Sequence, residues 1–137
     1  MLQTVVLCHL GATLFMVGAV WFVQVVHYPL MAGQPPEYAR EHGRRTGWVL
    51  GPVMLAELGT AVLLAWAVPA WPLFIGLALL LLIWASTWCV QVPCHNRLVV
   101  ASDAAVHRWL VATNWVRTVV WSVRGGIAMW AVVAAVC

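Results

Sequence analysis

Four long apolar runs, separated by short polar or proline-marked breaks, organise the chain. The first extends from Leu2 to about Tyr28 and is expected to end at Pro29. The second runs from about Trp48 to Val68, ending at Pro69, and the third from Trp71 to about Val92, ending at Pro93. The fourth occupies about His107 to Val136. Each reaches the roughly 20 mostly apolar residues that cross about 30 Å of hydrocarbon. In lipid such segments are helices, because a lone strand leaves its backbone groups unpaired. The pattern predicts an all-α, integral membrane four-helix bundle in a single domain spanning residues 1–137. The first run is too long for a signal-peptide core and no basic residue precedes it, so it reads as a retained span.

The breaks set the orientation. Arg40, Arg44 and Arg45 lie between the first and second runs, and Arg97 and Arg108 between the third and fourth. The remaining connection is the charge-free Pro69-Ala70-Trp71-Pro72. The positive-inside rule then places the arginine-bearing connections in the cytoplasm and both termini on the non-cytoplasmic side of a bacterial-type inner membrane. The tight Pro69-Ala70-Trp71-Pro72 turn makes the second and third spans antiparallel neighbours, from which up-down-up-down packing follows most simply. Residues 35–46, with Glu37, Glu41 and the arginines, read as a short amphipathic helix on the cytoplasmic membrane surface, loosened at Gly43.

Composition supports this picture. Of 137 residues, 64% are apolar and 8% charged, the charged set being seven Arg, three Glu and one Asp. A soluble domain carries about a quarter charged residues, so a water-facing enzyme is excluded. The net charge of +3 arises from scarce acids, and no arginine stripe points to nucleic acid. The partners implied are the lipid bilayer and, within the bundle, a hydrophobic small molecule; a homo-oligomer or a larger membrane complex is the alternative use of so apolar a surface. Trp48, Trp71 and Trp109 fall near predicted span ends, as interfacial aromatics do. Gly11 with Gly18, and Gly125 with Gly126, suit close helix contact. Cys8 and Cys137 fall toward the same face, which makes a disulfide conceivable.

The polar residues inside the runs are few, and such groups face the bundle interior or a wet cavity. Helical spacing aligns His107, Asn114, Arg117, Trp121 and Arg124 on the fourth run and Trp84, Trp88, Gln91 and His95 on the third. The first run carries His9, Thr13, Gln24 and His27; the second carries Glu57 and Thr60. Glu57 lies nine residues beyond Trp48, and Arg117 nine beyond Arg108. At about 1.5 Å per residue both sit about 13 Å below the same surface, which predicts a Glu57–Arg117 ion pair and leaves Arg124 without an acidic partner. His27, His42, His95 and His107 gather toward the cytoplasmic mouth. Imidazole is the commonest metal ligand, so a metal or haem site there is the alternative to a cofactor-free protein, although no paired His or Cys spacing supports it.

The stretch Val92-Pro93-Cys94-His95-Asn96-Arg97-Leu98 resembles the V-P-x-N-N-R-L element of the anthrone-oxygenase-like family of small membrane proteins, many of unknown function. Asn114-Trp115-Val116-Arg117-Thr118 resembles that family's W-N-x-V-R-T segment. Asn96, Arg97, Asn114 and Arg117 match by position, whereas His95 stands where the family has Asn and Trp115 where His is common. The resemblance covers roughly residues 88 to 120. It implies a compact four-helix fold and oxidation of a hydrophobic aromatic substrate, such as an anthrone, without metal or flavin. Such chemistry needs a base, for which His95 and Glu57 are candidates, and an anion stabiliser, for which Arg117 and Asn114 are candidates. Trp88 and Trp121 would supply flat walls, with Gln91 and Arg124 as further substrate contacts. The competing readings are an accessory subunit of a larger membrane complex and a His-ligated metal- or haem-binding protein.

Overall fold

The computed structural model of the chain describes residues 1–136. Four helices make up the fold: α1 (Leu2–Met31), α2 (Pro36–Ala67), α3 (Trp71–Val100) and α4 (Ala104–Val136). All four are long and apolar enough to cross a membrane, the layout of a multi-pass membrane protein, and no strand occurs among the described residues.

Four boundaries differ from the sequence expectation. Pro29 and Pro93 do not end helices. Each follows a π turn, Val23–His27 in α1 and Thr87–Gln91 in α3, after which helix resumes. A proline ring clashes with the carbonyl four residues back and supplies no N–H. The wider π turn accommodates it: the Tyr28 N–H donates to the Val23 carbonyl, and the Val92 N–H to the Thr87 carbonyl, five residues back. The extra residue also rephases the helix, so that Val20, Gln24 and Tyr28, four apart, are all buried.

Residues 35–46 are likewise not a separate surface helix. Pro36 opens α2, and the helix continues unbroken through Gly43 and Gly47. A helical glycine costs only about 1 kcal/mol, and Glu41 accepts hydrogen bonds from both Arg44 and Arg45 one turn on, in i,i+3 and i,i+4 pairs that support the helix. In α4 the helix starts before His107, because the Asp103 carboxylate caps it, accepting from the N–H groups of Ala105 at 2.8 Å and Val106 at 3.1 Å.

Side-chain pairings fix how the helices meet. Thr13 bonds Glu57 and His9 meets Thr60 across α1 and α2. Tyr28, Gln24 and Trp21 of α1 meet His107, Asn114 and Ser122 of α4. Gln91 meets Thr113, and Gly76 meets Arg124, across α3 and α4. The connections at 32–35 and 101–103 are tied together by Ser102 Oγ, which donates to the Gln34 carbonyl at 2.9 Å. At the first of these, Gly33 takes φ +73°, a left-handed turn suited to glycine.

The interior is stratified. Tyr28, Met31, Ala39, Cys94, Leu98 and Leu110 pack below the two tied connections. A middle layer contains Met16, Val20, Met54, Ile83 and Trp121, and Val6, Leu64, Leu73 and Ala131 close the far end. Polar groups occupy the two levels between these layers. Of the glycines expected at close contacts, Gly125 fits: an added Cβ would lie 3.4 Å from Val17. Gly11, Gly18 and Gly126 have nothing within 4 Å of that position. Cys8 and Cys89 are exposed and Cys94 is buried, with no disulfide among the described residues; the suggested Cys8–Cys137 bridge involves a residue outside those described.

Candidate functional site

The deeper polar level is built on Glu57, which is fully buried. Its partner is Arg124, not Arg117: Arg124 Nη2 lies 2.9 Å from Glu57 Oε1 and Nε 3.3 Å from the same atom. Thr13 Oγ1 donates to Oε1 at 2.9 Å and Trp121 Nε1 to Oε2 at 3.0 Å. Arg124 Nη1 donates to the Gly76 carbonyl, where the missing side chain brings the backbone within reach of the guanidinium. The sequence estimate failed because Trp48 and Arg108 do not lie at one depth. Measured from the true helix starts, Glu57 lies 21 residues into α2 and Arg124 20 residues into α4. Beside this pair, His9 Nδ1 lies 2.9 Å from Thr60 Oγ1. Because Thr60 spends its own proton on the Ala56 carbonyl at 2.8 Å, His9 is the donor and carries its proton on Nδ1. Both carboxylate oxygens are therefore occupied. The pair is thus buried with both charges hydrogen-bonded, the condition under which burying an ion pair is tolerated.

The shallower level is different. A cavity of about 290 Å³ lies among the four helices, with Gln91 and His95 of α3 and Asn114 and Arg117 of α4 in its lining. Trp84 and Trp88 form a stacked wall with centroids 6.5 Å apart, and Gly43, Gly47 and Gly51 of α2 line it as well. Ligand sites begin at about 300 Å³, and this cavity sits at that lower edge, a size for a small molecule only.

An amide relay positions Arg117. Gln24 Nε2 donates to the Val111 carbonyl at 3.2 Å, Asn114 Nδ2 donates to Gln24 Oε1 at 2.8 Å, and Arg117 Nη1 donates to Asn114 Oδ1 at 3.0 Å. The guanidinium also lies 5.1 Å over the Trp121 ring, a cation–π contact. It is 8% exposed and, among the described residues, pairs with no carboxylate. Buried polar atoms are nearly always hydrogen-bonded, so an exception calls for a physical reason. Among the described residues five side-chain atoms are buried without a partner; four of them, Arg117 Nε, Trp84 Nε1, Gln91 Oε1 and His95 Nδ1, belong to residues lining this one cavity, and the fifth is His27 Nε2. Of the four at the cavity, Arg117 Nε and Trp84 Nε1 are donors, Gln91 Oε1 is an acceptor, and His95 Nδ1 takes either role with its tautomer; fixed donors beside flat indoles can hold a planar molecule and stabilise negative charge on its oxygen.

The sequence-predicted residues thus separate. His95, Asn114, Arg117, Trp88 and Gln91 share the cavity. Glu57 and Arg124 stand outside its lining, and Trp121 is fully buried between the two levels, bonded to Glu57 below and stacked on Arg117 above. Of the two residues named as base, His95 reaches the cavity. Asn96 and Arg97, the other positions of the family-like motif, are exposed.

Of the four histidines expected at the cytoplasmic mouth, three converge. The His27 and His42 rings stack at 4.1 Å and His42 and His95 lie 5.4 Å apart, with the Tyr28 hydroxyl 3.3 Å from His95 Nε2. His107 is elsewhere, its Nε2 2.9 Å from the Tyr28 carbonyl. Among the described residues no group of three His, Cys, Asp or Glu is arranged to hold a metal ion.

Sequence reasoning left Gln24, Tyr28 and the three glycines out of the site, whereas Trp84 stood in the aligned set of its helix and His42 among the histidines of the mouth. Gln24 was visible as a polar residue on the buried face of its helix. The glycines carried no signal until the position of α2 was fixed. No protein-family model, curated protein or solved structure matches the chain.

Proposed function

We propose that the chain is an up-down-up-down inner-membrane protein with both termini on the non-cytoplasmic side. In this reading it uses the Arg117 cavity, near the cytoplasmic mouth, to bind a flat hydrophobic molecule that presents a carbonyl or enolate oxygen. The observation that carries the binding reading is the set of unpartnered buried polar atoms gathered around one cavity. The helix pairings and the two tied, arginine-flanked connections support the topology.

The chemistry that suits these residues is cofactor-free oxidation of an anthrone-like substrate, as the motif resemblance implies. His95 takes a proton from the ring carbon opposite the carbonyl, and the enolate oxygen rests on Arg117, whose orientation is held by Asn114. The enolate carbon bonds dioxygen, and the resulting peroxide is protonated by the imidazolium. Loss of the second ring proton together with hydroxide leaves a new carbonyl and one water. The carbon gives up four electrons and one molecule of dioxygen accepts them. Trp84 and Trp88 supply the flat walls.

The test is oxygen uptake by purified protein in detergent with anthrone as substrate, corrected for the uncatalysed reaction. Wild type is expected to consume one dioxygen per anthraquinone formed, and R117Q and H95A to lose at least about tenfold, equivalent to about 1.4 kcal/mol. If wild type adds nothing to the background rate while anthraquinone still binds, the protein is a binding module for such molecules and not an oxygenase.

A further inference from the structure

The rim of the cavity is unlike its floor. Gln91, Asn114 and Arg117 are buried, whereas Gly43, Gly47 and Trp88, which line the same space, are exposed on the side of the bundle. Trp88 is 61% exposed. In a helical bundle within a membrane, such a face meets lipid. Gly43, Gly47 and Gly51 recur every fourth residue, so they share one face of α2. At none of the three would an added Cβ meet another atom within 4 Å. No close helix contact therefore accounts for these glycines. The space they leave is the mouth of the cavity.

We infer that the ligand reaches Arg117 sideways from the bilayer, between α2 and α3, and that the glycine face of α2 sets how thick a molecule can pass. This rests on the cavity being the binding site proposed above. It also narrows the ligand class to planar molecules that dissolve in the membrane, with the polar oxygen leading toward Arg117 and the apolar body following between Trp88 and Gly47. A bulky side chain at Gly47 would fill the opening without disturbing packing, since nothing lies against that position. Its effect is therefore separable from misfolding.

The experiment uses the full chain in phosphatidylcholine nanodiscs, with tryptophan quenching by anthraquinone as the binding signal and anthraquinone-2-sulfonate as a probe that stays in water. Expected is a graded series: less than about threefold weaker binding for G47A, at least about tenfold weaker for G47L, and a matching loss for G43L. Melting temperatures should stay at the wild-type value, and the sulfonate should fail to bind or compete. Wild-type affinity in a folded G47L protein overturns the glycine opening. Sulfonate binding equal to that of the parent quinone overturns the bilayer route. Both failures leave Arg117-dependent binding standing, which R117Q measures separately; absence of anthraquinone binding to wild type overturns the site itself and this inference with it.

Discussion

Two arginines seven residues apart on α4 are expected to respond oppositely to the same substitution. Arg124 is one partner of a buried ion pair whose carboxylate also accepts from Thr13 and Trp121. R124M leaves the Glu57 carboxylate in apolar surroundings with two neutral donors, and removing one partner of such a pair costs about 3–5 kcal/mol. Arg117 has no carboxylate. R117M forfeits one hydrogen bond, worth about 1 kcal/mol, and a cation–π contact of about 1–2 kcal/mol. Against this it removes a buried guanidinium whose desolvation costs several kcal/mol. The expected net effect of R117M lies between neutral and about 2 kcal/mol stabilising, while anthraquinone binding is lost. The assay is equilibrium unfolding of detergent-solubilised protein in a titration with dodecyl sulfate, followed by helical circular dichroism. A double variant, E57L/R124M, should recover part of the R124M loss, because it strands neutral donors in place of a charge, at about 1–3 kcal/mol. Destabilisation of R117M equal to that of R124M, or a double variant as unstable as the sum of its single changes, would refute the division between a structural and a ligand-facing arginine.

Other outcomes follow from particular contacts. P93A restores an N–H to α3 and lets the π turn relax to α-helix, which turns Gln91 away from its present phase relative to His95; anthraquinone binding should fall at least about tenfold with no loss of thermal stability. D103A removes the cap of α4 and should cost about 1 kcal/mol, read in the same dodecyl sulfate titration. S102C, in the second of the two tied connections, should react with a membrane-impermeant maleimide only from the cytoplasmic face of oriented vesicles; labelling from the opposite face would reverse the proposed topology. Labelling is compared with the protein lacking S102C, because Cys8 and Cys89 are also exposed.

Much of the fold was legible because lipid imposes simple demands. Four apolar runs of spanning length become four helices, since hydrogen-bond satisfaction in hydrocarbon allows little else. The polar residues were legible as buried for the same reason, and the cavity-lining set of Gln91, His95, Asn114 and Arg117 stands out in sequence because each is costly in a span. Prolines misled, because the rule that a proline ends a helix takes no account of a π turn, which re-forms hydrogen bonds around the ring.

What the sequence by itself determined is the number of spans and the identity of the groups that must find partners inside them. Which group meets which was decided by the tertiary structure. A depth estimate depends on where each helix begins, and a capped start at Asp103 and an unexpected start at Pro36 moved Glu57 from Arg117 to Arg124. Once that pair is made, Arg117 has no remaining intramembrane carboxylate to join. The physical reason is that composition fixes the charges present, whereas helix register decides which are neutralised and which remain available to a ligand.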